Sequence, residues 1–293
     1  MQNSDTINLY RHRDFNEKIN ATVTFFRLHF RPLLMVQLRV SGLFALLMVV
    51  SSIYLGNRYA SSGDWLGAES LESGQLLWNV ITNVFNLLFT LSLGIVCFAY
   101  LKVYHSQAGQ MDFPAVSRLA WPALASAFVL TLLYSLGVAL GFVLLIIPGI
   151  YLAIRWSMTL PALIFEKSDP ISVFGRSHQL IKGQWFPVFG YLLVISILSY
   201  LIRLVLELPA GILFGVDAMF QLTDEGFDPA VFGGWKYVVV VLATVVGAYL
   251  GNVFLYLGMA FQYFSLVEES DAEGLLQEIE SLENQDKKDE GAY

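Results

Sequence analysis

Residues 121 to 166 form a run of 46 mostly apolar residues, and inside it stand a Pro-Gly pair, Pro148-Gly149, and an arginine, Arg155. One membrane crossing needs roughly 20 apolar residues to cover about 30 Å of hydrocarbon. The run is therefore either two spans joined by almost nothing, or one kinked span with a re-entrant piece. The first reading makes Pro148-Gly149 a hairpin turn, with Pro148 at the first position of the returning helix, where its missing N–H costs nothing. Four more apolar stretches qualify as spans, at about 33–55, 76–103, 185–207 and 235–266, giving six in all. With 56% hydrophobic and 14% charged residues, the chain has more apolar surface than a water-soluble core can hide. The fold class this implies is all-α, a polytopic membrane protein with six transmembrane helices.

Lysine and arginine orient such a bundle by the positive-inside rule. With both termini cytoplasmic, the basic residues from Arg11 to Arg31, then Lys102, Arg118, Lys167, Arg176, Lys182 and the tail lysines all fall inside, and only Arg58 and Lys236 fall outside. A kinked span would put one end on the wrong side, so charge favours the hairpin. The first apolar run starts only at Pro32, which reads as an uncleaved anchor.

Three segments repeat a pattern: an aspartate, a short amphipathic stretch, then a proline at 32, 122 or 187 that opens a span. In the first, Phe15, Ile19, Val23, Phe26 and Phe30 recur at helical spacing, which suits a helix lying in the headgroup layer. The domain organisation expected is a cytoplasmic N-terminus with this interfacial helix (1–31), a membrane domain of three interfacial-helix-plus-hairpin units (32–267) and an acidic cytoplasmic tail (268–293). The tail holds ten acids against two lysines. Leu275, Leu276, Ile279 and Leu282 offer a short amphipathic helix to a partner, but a frayed, solvated tail is the expected state.

The order Pro148-Gly149, Arg155, Glu166, Arg176-Ser177 and Lys182-Gly183 resembles the pattern shared by YciC-like bacterial inner-membrane proteins and the membrane domain attached to some glycerophosphodiester phosphodiesterases. The resemblance implies a helical domain in a bacterial cytoplasmic membrane and supplies no chemistry residue by residue. No soluble segment is long enough for the phosphodiesterase barrel, so that activity is not implied.

Other catalytic patterns fail on spacing. "HRDFNE" at 12–17 has Ile19 where a kinase catalytic loop needs asparagine, and His12, His29, His105 and His178 form no ligand pair at helical spacing. Cys97 lies alone in an apolar segment. The chain reads as a non-enzyme without cofactor, metal or nucleic-acid partner.

Polar residues inside the spans are costly unless paired or wet, and they supply the candidate site. Asn79, Asn83 and Asn86 share one face of the second span; Arg155 lies about 10 Å from the hairpin turn at ~1.5 Å per residue; Arg203 and Glu207 are one turn apart and can pair. By depth these six are expected to meet in one outer-leaflet pocket. They are either interhelical glue or a site for an anionic headgroup or small solute. Glu166 is expected to hold the neighbouring interfacial helix. Membrane lipids are the partners expected, with a second copy of the chain or a cytoplasmic protein on the tail as others. Lipid handling or membrane organisation is the favoured role; a transporter or channel subunit and a scaffold are the alternatives.

Overall fold

The computed structural model describes residues 9–62, 75–107, 112–166, 169–220, 222–223, 226–227 and 234–290. The chain is helical almost throughout: α1 (Phe15–Val40), α2 (Gly42–Ser62), α3 (Gln75–Ser106), α4 (Phe113–Leu144), α5 (Ile146–Arg155), α6 (Thr159–Glu166), α7 (Ser172–Ile181), α8 (Trp185–Phe220) and α9 (Trp235–Glu290). A two-residue antiparallel pair, β1 (Leu222–Thr223) with β2 (Gly226–Phe227), lies between α8 and α9. Five segments are long and apolar enough to cross a membrane: Leu76–Ser106, Phe113–Leu144, Ile146–Glu166, Trp185–Val216 and Trp235–Asp271. A sixth is the bent pair α1–α2, broken by 65°. The protein is a multi-pass, all-α membrane protein.

α3 is the axis of the bundle. Every residue from Leu91 to Leu101 is buried, enclosed by α1, α2, α4, α6 and α9. Cys97 lies on this axis and packs there, with the Gln37 amide 3.5 Å from its Sγ. Lys102, at the end of the axis, donates to the carbonyls of Ile164 and Phe165 and so satisfies the last turn of α6.

The hairpin between α4 and α5 forms, with its turn three residues earlier than expected. Leu145 alone is extended, with φ −164° and ψ 156°, and Pro148 is the third residue of α5 rather than the first. Two glycines equidistant from Leu145 explain this placement: a Cβ on Gly141 would lie 3.0 Å from the Gly149 Cα, so the two helices touch backbone to backbone right up to the turn. The Tyr134 hydroxyl then donates to the Ala153 carbonyl at 3.2 Å and holds the arms together. The tip from Val143 to Ile147 is aliphatic and 68–82% exposed, a surface suited to hydrocarbon rather than water.

The prolines do not open the first two spans. Pro32 lies inside α1 and Pro122 inside α4, and only Pro187 stands in a first turn, that of α8. The chain breaks instead at Ser41-Gly42, a Ser/Gly pair of the kind that kinks helices. Inside that bend Gln37 is buried and saturated: its amide donates to the Leu93 carbonyl at 2.9 Å and its Oε1 accepts from the Ser41 hydroxyl at 2.8 Å. α1 is also packed more deeply than a headgroup helix. Its fully covered stripe is Thr22, Phe25, Leu33, Val36, Gln37 and Val40; Phe26 and Phe30 flank it half-buried, and Phe15 is exposed. Ahead of α1, Arg13 is anchored to α9: its N–H donates to Ser265 at 3.2 Å and its guanidinium lies over Phe261.

α8 and α9 run antiparallel in close contact. A Cβ on Gly251 would stand 2.8 Å from the Ser199 carbonyl, which makes the glycine a condition of that approach. Gly247, Gly251 and Gly258 thus face α8 within the fold. The acidic tail is helical. α9 continues unbroken to Glu290, because residues past 271 are mostly good helix formers without proline and extend a helix that is already nucleated.

Candidate functional site

α6 and α5 are two pieces of one span, separated at Trp156–Met158. A break inside a membrane frees backbone groups that must be satisfied by protein. Ser177 of α7 does this: its hydroxyl donates to the Arg155 carbonyl at 2.8 Å and accepts from the Met158 N–H at 3.2 Å. The residue before it, Arg176, donates from Nε to Glu166 at 2.8 Å and reaches Asp271 of α9 at 3.4 Å. Glu166 also accepts from the Tyr263 hydroxyl at 2.6 Å. Glu166 therefore bonds to α7 and ties α6 to α9 as well.

The residue after Ser177 completes a cleft. Arg155, half-buried at the end of α5, donates to the Tyr151 hydroxyl, and its other terminal nitrogen meets Nε2 of His178. The imidazole is then the acceptor and carries its proton on Nδ1. Partial burial, then the Arg155 and Lys182 charges, hold its pKa below the ordinary histidine value. The cost of charging it in the folded state therefore appears only as pH falls through about 6.5, the value of an unperturbed histidine. Tyr151, Arg155, His178, Ile181, Lys182, Gly183 and Trp185 enclose a cleft of about 130 Å³. Gly183, with φ +83°, supplies the left-handed turn between α7 and α8 that keeps Lys182 and Trp185 on the same opening. Trp185 stacks on Tyr151 with ring centroids 6.0 Å apart and donates to the Tyr151 carbonyl at 3.4 Å. Among the described residues no carboxylate pairs with Arg155 or Lys182. The cleft thus joins two uncompensated cations and an imidazole to two aromatic rings, a set of donors for a phosphate or carboxylate.

The six expected site residues do not converge. Arg203 stands 18 residues beyond Trp185 on the continuous helix α8, about 27 Å at ~1.5 Å per residue. The Arg155 cleft lies at the near end of that helix, on the side of Lys182, and so at the opposite end from Arg203. Arg203 and Glu207 do pair, at 3.2 Å, beside Gly251 and Gly247 of α9. Asn83 donates to the Asn79 backbone carbonyl at 2.8 Å and Asn86 accepts from Thr90 at 3.5 Å, so the Asn83 and Asn86 amides bond along their own helix. His178, Lys182, Tyr151 and Trp185 were missed. For Tyr151 the signal was local, one helical turn before Arg155; for the others it was tertiary, since Arg155 and His178, 23 residues apart, meet only because α7 folds back on the broken span.

A family model described as the membrane domain of glycerophosphoryl diester phosphodiesterase matches residues 124–289, more than half of the chain, and covers the cleft, the Glu166 clamp and the α8–α9 pair. No curated protein and no solved structure matches.

Proposed function

The chain belongs to the family of the membrane domain of glycerophosphoryl diester phosphodiesterase, and from that premise we propose that it is a non-catalytic lipid-handling domain holding a phosphate-bearing headgroup between Arg155 and Lys182. The observation that carries this is the convergence of two unpaired cations with His178, Tyr151 and Trp185 on one cleft. Guanidinium provides a planar fork for phosphate, and Trp and Tyr suit the boundary between headgroups and acyl chains. The family's name, which concerns glycerophosphoryl diesters, agrees with a ligand of this chemistry. Clustering of Arg176, Lys182 and the basic N-terminal segment at the same end favours an orientation with that end and both termini in the cytoplasm, in a bacterial inner membrane. The continuous acidic helix beyond Asp271 is then available to a cytoplasmic partner.

Lipid retention and melting temperature measured side by side test the reading. Arg155→Met should leave the melting temperature near that of the wild type while reducing retained anionic lipid roughly 10- to 100-fold, the equivalent of one charge-assisted hydrogen-bond set at ~1.5–3 kcal/mol. Arg155→Lys should recover part of the loss. Equal retention in all three proteins would leave Arg155 as a structural residue only.

A further inference from the structure

A second cavity, of about 300 Å³, lies inside the bundle between α3, α4, α9 and the α5–α6 break. It shares no lining residue with the Arg155 cleft, and none of its lining residues is charged. Six of them carry hydroxyls: Thr90, Thr131, Tyr134, Ser157, Thr159 and Tyr256. Each hydroxyl has one hydrogen to give, and in every case that hydrogen has a partner within the protein. Thr131 donates to the Ala127 carbonyl at 2.8 Å, Ser157 to Ile154 at 2.7 Å and Thr159 to Trp156 at 2.8 Å. Tyr134 donates to Ala153 at 3.2 Å, Tyr256 to the Thr90 carbonyl at 3.3 Å and Thr90 to the Asn86 amide oxygen at 3.5 Å. What these groups have left to offer is lone pairs.

From this we propose a separate binding site for a neutral lipid with a free hydroxyl, such as a long-chain alcohol or a diacylglycerol. The hydroxyls of the wall accept and do not donate, and the Trp156 indole N–H is the one side-chain donor left among the lining residues. A carboxylate or phosphate would meet six acceptors, no cation and at most one neutral N–H there, and losing its hydration on those terms is prohibitive. A plain hydrocarbon fills the apolar part but leaves the acceptors without a partner. An alcohol satisfies both, its hydroxyl donating to one of the ring of oxygens while its chain lies along Leu130 and Met259. The site is independent of the anion cleft and survives if that assignment fails.

Trp156 lines the cavity and reports on it. The intact protein in detergent micelles is titrated with 2-bromododecan-1-ol, 1-bromododecane and 2-bromododecanoate, and the quenching that disappears in Trp156→Phe is taken as the cavity signal. The alcohol should give a saturable signal, with the bromoalkane and the carboxylate weaker by about tenfold or more. Replacing Thr131 by Val together with Ser157 by Ala should weaken the alcohol by up to about tenfold, the one neutral hydrogen bond that its hydroxyl donates at ~0.5–1.5 kcal/mol, and leave the alkane unchanged. Thr131→Ser, which keeps the oxygen, should bind as the wild type. Equal quenching by alkane and alcohol would make the cavity a hydrocarbon slot, and the absence of any Trp156-dependent quenching would mean that it holds water; either result overturns the proposal.

Discussion

Phe25→Ala is expected to destabilise the protein by about 3–5 kcal/mol, the cost of a large-to-small change at a closed core position. Phe25 is 0% exposed and sits where α1 meets α3 and α9. Its ring stacks on His29 at 4.2 Å and meets Tyr104 at 5.4 Å, Phe261 at 6.0 Å and Tyr100 at 6.2 Å edge-on. Tyr100, Tyr104 and Phe261 cannot move into the space that alanine would leave, because they are themselves buried. Phe26 and Phe30, which flank this contact half-buried, contribute less; replacing both by serine should cost about 2 kcal/mol in total, from partial burial at ~1.5–3 kcal/mol per fully buried ring. Thermal unfolding in one detergent ranks the variants. A larger loss for the Phe26/Phe30 pair than for Phe25 would mean that α1 rides on the headgroup layer by the face that its aromatic spacing suggests.

Arg203→Met should cost about 2 kcal/mol, below the ~3–5 kcal/mol of a fully buried pair because about a third of each side chain is exposed. The loss comes from Glu207, which keeps its place against Gly247 while losing the guanidinium that donates to it twice, at 3.2 Å from Nε and 3.2 Å from a terminal nitrogen. Removing both charges is a different experiment. The double variant Arg203→Met, Glu207→Leu should regain most of the stability, since apolar side chains of similar volume need no partner. Melting temperatures of the wild type, the single and the double variant decide it: a double variant no better than the single would show that Glu207 is indifferent to Arg203.

The sequence carried the features that depend on composition and local spacing. Span positions follow from apolar runs of sufficient length, and the Arg203–Glu207 pair follows from a four-residue separation on one helix. Glu166 could be assigned to the adjacent connector because only a few residues lie between them. The hairpin was legible as a hairpin, but its turn was not, since Pro148 is a conspicuous residue whereas the matched glycines 141 and 149 fix Leu145 only once two helices are in contact. The same limit applies to α1. Phe26 and Phe30 stand out by size, yet the buried stripe passes through Thr22, Phe25 and Gln37, two of them polar, because Gln37 finds an acceptor at the Leu93 carbonyl of α3 and Thr22 one at the Lys18 carbonyl of its own helix. Arg155 was recognisable as an arginine that needed partners; Tyr151 lies one turn before it on α5 and was legible by helical spacing, whereas His178 depends on the fold-back of α7, which no periodicity encodes.

The anion site is tested most directly by equilibrium titration of dihexanoylphosphatidylglycerol, a phosphodiester of fixed charge, into the purified protein and into Arg155→Met. The wild type should bind it saturably and more weakly as salt is raised, and should bind neutral dihexanoylglycerol poorly at the same cleft. Arg155→Met should weaken the phosphodiester at least about tenfold, the loss of one charged hydrogen-bonding partner at ~1.5–3 kcal/mol. Equal affinity of the two proteins for the phosphodiester would contradict a headgroup held by Arg155.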